Sequence, residues 1–158
     1  QRRAVLSLVD VTRLHDAQRL QQLIDSLPEH VALIDVMGTI RQVNRAWAEF
    51  SRQNGGPDTL EGIGMGTNYL AAVARSTTAD ADDVLRGMQQ VLAGVLPDLR
   101  RVYPCHSPTQ KRWFLMTVSP LHGGRCGGRL PSGAVVTHLD ITPWAGPQGL
   151  AYAEGLQA

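Results

Sequence analysis

The hydrophobic period changes along the chain in an order that restricts the fold more than any single motif. A helical spacing of apolar residues over 13–27 is followed by two short stretches, 30–36 and 39–44, that alternate as strands do. Met37 and Gly38 lie between the two stretches, where a hairpin needs its turn. This part of the chain is therefore predicted to form a helix and then a β-hairpin.

Helical patterns fill the middle of the chain, and strand patterns return in its last third. Asn44 is a favourable N-cap for the first of these helices. The helices are predicted over residues 46–50, 69–74 and 80–95, and the later strands over 99–106, 112–121 and 134–141. This order predicts an α+β fold: a five-stranded antiparallel sheet with helices on one face, preceded by an N-terminal linker helix.

Composition and charge exclude several classes of partner. The 158 residues include 15 basic and 14 acidic side chains, a net charge of +1, whereas nucleic-acid-binding proteins have a basic excess. No apolar run approaches the length of a membrane span, so neither nucleic acid nor direct membrane contact is expected. Cys105 and Cys126 are too few for a disulfide framework. We therefore expect reduced thiols and a cytoplasmic location, including the cytoplasmic part of a membrane-anchored sensor.

Two segments of the chain are similar to each other. AVLSLVDVT at residues 4–12 resembles AVVTHLDIT at residues 134–142. The similarity predicts that the chain begins on the last strand of an upstream copy of the same domain, with chance similarity as the alternative. The absence of an initiator Met also favours a piece of a longer protein.

Three stretches, in this order, resemble the PAS (Per-Arnt-Sim) sensory domain. LIDSLPEHVALIDVMGTIRQVNRAWAEF at residues 23–50 resembles its opening, and GAVVTHLDIT at residues 133–142 resembles its last strand. YPCHSPTQKRWFLMTVSPL at residues 103–121 is similar to a bacterial subgroup found in sensor kinases, cyclic-di-nucleotide enzymes and chemotaxis methylation proteins. The resemblance implies a non-catalytic domain that senses a small ligand or mediates dimerisation, and relays its state through flanking helices to an effector outside this chain.

The resemblance also implies a division of the chain. The predicted parts are 1–12 for the end of an upstream PAS-like repeat, 13–27 for a linker or signalling helix, 28–142 for the PAS domain and 143–158 for a tail or downstream linker. Neighbouring PAS and effector domains are therefore expected partners, together with a second copy of the chain that binds through the N-terminal helix and the outer sheet face.

The Asp-x-Thr pattern that ends the last strand is the predicted signalling motif. It comprises Asp140, Ile141 and Thr142, and Asp10 and Thr12 are its upstream counterparts. Asp and Thr at the end of a strand can cap the following helix and hold its angle, so a shift of the strand becomes a shift of the helix. A proline follows the downstream copy, so the upstream copy is the better candidate for a relay. A simple cap without a signalling role is the alternative.

A ligand pocket is expected between the inner face of the sheet and the helices of residues 60–95. The strand over 112–121 is apolar on both faces, so its alternation leaves open which face points inward. An outer face of this kind is expected to cover the N-terminal helix or a partner subunit. The candidate pocket residues are Trp47, Phe50, Tyr69, Met88, Leu92, Phe114, Met116 and Val118, with plain core as the alternative.

The histidines have no close metal-ligand spacing. His106 is a weak metal candidate, because its neighbour Cys105 points to the opposite face of a regular strand. Leu8 replaces His138 in the proposed upstream copy, which predicts a tolerant structural position for His138.

The cofactor is unknown from the sequence. Haem-binding relatives place their ligand His on helices corresponding to residues 69–95, where this sequence has no His. Light-sensing flavin relatives carry a reactive Cys, and residues 66–70 have none. A haem- or flavin-bearing redox or gas sensor and a ligand-free dimerisation spacer remain the alternative functions. No set of residues supports catalysis.

Overall fold

The computed structural model describes residues 2–53, 62, 64–76, 80–105, 110–123 and 130–144, and of residues 2–12 only the backbone. The helices of this part are α1 (Arg2–Asp25), α2 (Arg45–Gln53), α3 (Tyr69–Ala74) and α4 (Ala81–Leu92). The strands are β1 (His30–Asp35), β2 (Ile40–Val43), β3 (Leu99–Pro104), β4 (Trp113–Leu121) and β5 (Gly133–Asp140).

The strands form one antiparallel sheet in the order β2-β1-β5-β4-β3. The predicted α+β fold with a five-stranded antiparallel sheet is confirmed. In the β1–β2 turn, an Asp35 carboxylate oxygen accepts hydrogen bonds from the backbone N–H groups of Met37 and Thr39, each 2.9 Å long. Gly38 has a φ of +81° and lies against Leu70, where a Cβ would collide. The turn residues therefore match the hairpin that the sequence predicts.

The inner face of the sheet holds the main core. Val84, Met88, Val91 and Leu92 on one side of α4 pack against buried side chains of the strands. The strand residues of this core are Ile34, Ile40, Leu99, Met116, Val118, Ala134 and Val136. Phe114, Met116 and Val118 alternate as buried positions of β4, so this is the face that points toward the helices.

The outer face of the sheet carries a second apolar cluster. Val102 and Ile141 are buried in it, and Trp113, Leu115 and Leu139 pack around them half-buried. The register pairs Leu115 with both Val102 and Leu139, so these side chains share one face of three adjacent strands. This sheet is therefore apolar on both sides, as the β4 sequence predicts.

The strand predicted over residues 4–12 is wrong, because these residues belong to α1. A strand needs a neighbouring strand for its backbone hydrogen bonds, whereas a helix satisfies them within itself. In α1, residues 13–20 are exposed, and the last turns contact α2. The division of the chain at residues 12, 27 and 142 stays a prediction. Among the described helices, none has the length and apolar character that crossing a bilayer would require.

Candidate functional site

A pocket of about 700 Å³ opens between the sheet and the helices α3 and α4. Its lining comes from α3, the first turn of α4, β3, and inner-face positions of β4 and β5. Val73, Ala81, Val84 and Met116 supply apolar wall. The size and the mainly apolar lining are typical of small-molecule sites.

Three uncharged polar side chains line this pocket together. The Tyr69 hydroxyl lies 3.0 Å from His138 Nε2, and the Tyr103 hydroxyl lies 2.8 Å from His138 Nδ1. We call Tyr69, His138 and Tyr103 the Tyr-His-Tyr cluster. It brings together three elements of the fold, since Tyr69 begins α3, Tyr103 is on β3 and His138 is on β5.

Local sequence explains how the cluster is assembled. The Asn68 side chain caps α3 by accepting a hydrogen bond from the Ala71 N–H, which places Tyr69 in the first helical turn. The strand register pairs Tyr103 with Phe114 and His138 with Met116, so the two polar residues project from the same inner face.

Burial makes the cluster uncharged. Loss of water around the ring, together with charge repulsion from His30, lowers the pKa of His138 to about 3. Burial also raises the pKa of Tyr69 and of Tyr103 above the usual tyrosine range. All three side chains are therefore neutral near pH 7.

An aromatic group surrounds the inner end of the pocket. Trp47 on α2 has its ring centroid 5.9 Å from that of Tyr69 and 5.6 Å from that of His138. Phe114 stacks on Tyr103 at 5.9 Å and meets Phe50 at 5.3 Å. The cluster is thus held between rings from α2 and β4.

The structure separates the predicted pocket residues into three groups. Tyr69 and Met116 line the pocket. Trp47, Phe50 and Phe114 belong to the aromatic group around it. The remaining three lie in the packed core instead: Met88, Leu92 and Val118.

The sequence analysis missed His138 and Tyr103. His138 is not the tolerant position that the comparison with Leu8 predicts, because both of its ring nitrogens have hydrogen-bond partners. One sequence signal pointed to it, since His138 follows Ala134 and Val136 at strand spacing on an otherwise apolar face.

The Asn44 side chain forms a second buried polar centre, at the junction of α1, β1 and α2. Its Oδ1 accepts hydrogen bonds from the N–H groups of Val31 (2.9 Å) and Trp47 (3.0 Å). Its Nδ2 donates to the carbonyls of Ile24 (2.9 Å) and Glu29 (2.8 Å). The predicted N-cap of α2 is confirmed, and the same side chain also holds the end of α1.

In the part of the chain that the structure describes, the histidines and the Cys105 thiol do not form a metal site. Groups of three or more His, Cys, Asp or Glu side chains at metal-binding distance are absent there. Cys105 is a free, half-buried thiol, and His106 and Cys126 lie outside the described residues. His138 has no ring nitrogen left for an iron, because hydroxyl groups face both.

Comparisons with known proteins agree with the fold. Residues 18–87 match the family model described as a PAS domain. The PAS domain of BvgS from Bordetella pertussis has the same fold, with a TM-score of 0.58 at 16% identity over 90% of this chain and 97% of that one. The chain contains a PAS domain.

Further similarities are to part of a sensor protein and to a much longer bacterial protein. It is similar to the sensor region of a sensor histidine kinase, with a TM-score of 0.52 at 20% identity over 73% of this chain and 40% of that one. An uncharacterised 104.1 kDa protein in the hypE 3′ region of Rhodobacter capsulatus is 41% identical over 145 residues, which is 89% of this chain. The chain spans 14% of the length of that relative. PAS domains are in general sensory, signal-transducing domains without catalytic activity.

The Asp-Ile-Thr motif of this PAS domain ties the end of β5 to β4. The Asp140 carboxylate accepts a hydrogen bond from the Thr142 N–H, and the Thr142 hydroxyl accepts one from the Trp113 N–H, each 2.9 Å long. A turn follows at residues 142–144. The upstream Asp10 and Thr12 lie inside α1 rather than at the end of a strand, so they do not form a matching motif.

Proposed function

We propose that this PAS domain binds a small molecule in the pocket beside the Tyr-His-Tyr cluster and signals its occupancy through α1. The observation that carries the proposal is the pocket itself, about 700 Å³ in volume, with three uncharged polar groups at one end of an apolar wall. A position that served packing alone would favour apolar side chains there, because buried polar groups are costly.

A continuous chain of contacts leads from the pocket to α1. Tyr69 and His138 contact the Trp47 ring, and the Trp47 N–H donates to Asn44. Asn44 in turn donates to the Ile24 carbonyl in the last turn of α1. A ligand that moves α3 or β5 would therefore act on Trp47 and α2, and through Asn44 on the angle of α1.

The output of this movement is proposed to be a change in a dimer. Leu14, Leu20, Leu23 and Leu27 are exposed on and just after α1, with Leu23 67% exposed. Exposed leucines on one helix are typical of a helix that packs against another copy. The apolar outer face of the sheet is the second proposed contact.

The effector is proposed to lie elsewhere in a longer cytoplasmic signalling protein. The curated relative, of which this chain spans 14%, supports a multidomain parent. The proposed effectors are a histidine kinase, a diguanylate cyclase or phosphodiesterase, or a chemotaxis methylation protein.

Native mass spectrometry of the purified domain tests the ligand. We expect a bound mass beyond the polypeptide, and we expect Ala81→Phe to reduce its occupancy, because Ala81 lines the pocket and a phenyl ring would take up part of its volume. Gln89→Phe is the matched control, since Gln89 is exposed on the same helix. A wild-type protein without bound mass would favour the alternative of a ligand-free dimerisation spacer.

Light scattering after gel filtration tests the dimer. Leu20→Glu with Leu23→Glu places two like charges on α1 and is expected to give monomers. Leu115→Glu places a charge on the outer sheet face and tests the second contact separately. A dimer that survives all three substitutions contradicts both proposed contacts.

A further inference from the structure

The Tyr-His-Tyr cluster has one more proton than its internal hydrogen bonds use. Each tyrosine hydroxyl carries one proton, and a neutral imidazole carries one on either nitrogen. The three protons serve only two contacts, Tyr69 to Nε2 and Tyr103 to Nδ1. Whichever nitrogen is protonated, the hydroxyl that accepts from it keeps its own O–H available as a donor.

This donor is available at the pocket, because all three residues of the cluster line it. With the Nε2–H tautomer, the available O–H belongs to Tyr69, and with the Nδ1–H tautomer it belongs to Tyr103. An occupant that covers this donor without accepting from it leaves the donor cut off from water, so an occupant that accepts from it binds more tightly. The low pKa of His138 supports this count, since a protonated ring would leave two spare donors.

Charged side chains also line the pocket. Asp80 and Asp83 are exposed at the first turn of α4, and Asp83 pairs with Arg86 at 3.0 Å. Arg101 is two residues before Tyr103 on β3, and its guanidinium donates an exposed hydrogen bond to the Arg100 carbonyl at 2.8 Å. The cluster itself offers only uncharged hydroxyl and imidazole groups, so a charged group bound directly to it would lose more hydration than these groups replace.

We propose that the pocket selects an uncharged molecule with an apolar body and one hydrogen-bond acceptor, a carbonyl oxygen or an aromatic ring nitrogen, which binds the free hydroxyl of Tyr69 or Tyr103. The inference rests on the proposed function, because it names the ligand class of the same pocket. Binding of such an acceptor leaves each of the three protons of the cluster with a partner.

Three probe compounds of similar shape test the selection. Acetophenone carries a carbonyl, ethylbenzene has a methylene group in its place, and benzoate carries a charged carboxylate. The affinities are measured by ¹H–¹⁵N NMR titration, following the backbone amides of α3 and β3 on either side of the cluster. We expect acetophenone to bind about five- to tenfold more tightly than ethylbenzene, the effect of one satisfied buried donor. Benzoate is expected to bind more weakly than acetophenone.

The second part of the test uses a variant in which every polar group of the cluster is replaced by an apolar side chain. Removing one tyrosine leaves a spare imidazole N–H, so all three groups are replaced together as Tyr69→Phe, Tyr103→Phe and His138→Leu. In this variant acetophenone is expected to lose its advantage, whereas ethylbenzene binding is retained and shows that the pocket still forms. Gln89→Leu, at an exposed position of α4 that does not line the pocket, is the control and keeps the preference.

The outcomes separate this inference from the proposed function. Equal binding of acetophenone and ethylbenzene to the wild type, or tighter binding of benzoate, overturns the selection but leaves a ligand pocket in place. A preference that persists in the apolar variant also overturns it, because the donor would then lie elsewhere. Binding of none of the three compounds overturns both the selection and the pocket as a site for small molecules of this kind.

Discussion

Two polar centres of the domain, the buried Asn44 and the half-buried Tyr-His-Tyr cluster, differ in how completely their hydrogen bonds are used. Asn44 is 1% exposed. Its carboxamide accepts hydrogen bonds from two backbone N–H groups and donates to three backbone carbonyls. The cluster satisfies both nitrogens of His138 but keeps one hydroxyl proton without a partner inside it. A complete centre is suited to holding elements together, whereas an incomplete one is suited to receiving a further group.

The largest expected effect comes from breaking the complete centre. Asn44→Ala removes a hydrogen bond from each of two backbone N–H groups and three carbonyls, so the free energy of unfolding is expected to fall by about 3 kcal/mol. Urea denaturation measures the loss. Asn68→Ala is the control: Asn68 also caps a helix but is less buried, and its loss is expected to cost about 1 kcal/mol. Equal losses in the two variants would contradict a special role for Asn44.

The next largest effect is expected from acid, which destabilises the fold by protonating His138 of the Tyr-His-Tyr cluster. The folded-state pKa of His138 is about 3, against an ordinary 6.5, so the unfolded chain binds the extra proton between these values. The contribution of His138 to the free energy of unfolding is therefore fully present above pH 6.5 and is lost progressively as the pH falls toward 3. We expect a loss of about 2 kcal/mol from His138 between pH 7 and pH 5.

Urea denaturation at both pH values measures this dependence. His138→Leu should make the pH dependence of the free energy of unfolding shallower. The part that remains includes the contribution of His30, because burial also lowers the pKa of that side chain. His122→Leu, at an exposed position, serves as the control. An unchanged pH dependence in His138→Leu would mean that the ring is charged in the folded protein.

A smaller effect is expected at the end of β5, where the polar groups are only half-buried. Thr142→Val removes the hydroxyl that accepts from the Trp113 N–H, and the expected cost is about 1 kcal/mol. Thr142→Ser keeps the hydroxyl and should retain most of the stability. A valine variant as stable as the wild type would contradict the contribution of this hydrogen bond.

The smallest effect is expected within the cluster itself. Tyr69→Phe removes one hydroxyl but leaves one spare donor, the number present in the wild type, so the expected loss is below about 1 kcal/mol. Thermal unfolding followed by circular dichroism is sensitive enough to detect such a change. A loss as large as that of Asn44→Ala would show that the cluster is a structural centre like Asn44.

Sequence patterns predicted the fold better than the site, for a physical reason. The hairpin at Met37-Gly38 and the Asn44 cap depend on neighbouring residues, which are visible along the chain. Residues 4–12 were predicted as a strand because their apolar, β-branched composition is ambiguous, and no partner strand is encoded beside them.

The site depends instead on the strand register. Tyr103 and His138 face the same pocket because β3 and β5 both pair with β4 in a particular alignment. A shift by one residue would turn each side chain to the other face, and β4 is apolar on both. Tyr69 and Met116 could be predicted from their place near the helices, but the polar partners of Tyr69 could not.

Because α1 is long, a small rearrangement at Asn44 produces a large displacement at the N-terminal end of the helix. At a rise of 1.5 Å per residue, its 24 residues extend for about 36 Å from the point where Asn44 holds the Ile24 carbonyl. A tilt of about 5° at that point displaces the far end by about 3 Å, a third of the usual distance between packed helix axes. A small change at the base of α1, where Asn44, Gln21 and Asp25 make its hydrogen bonds to the rest of the domain, therefore becomes a large displacement at its N-terminal end.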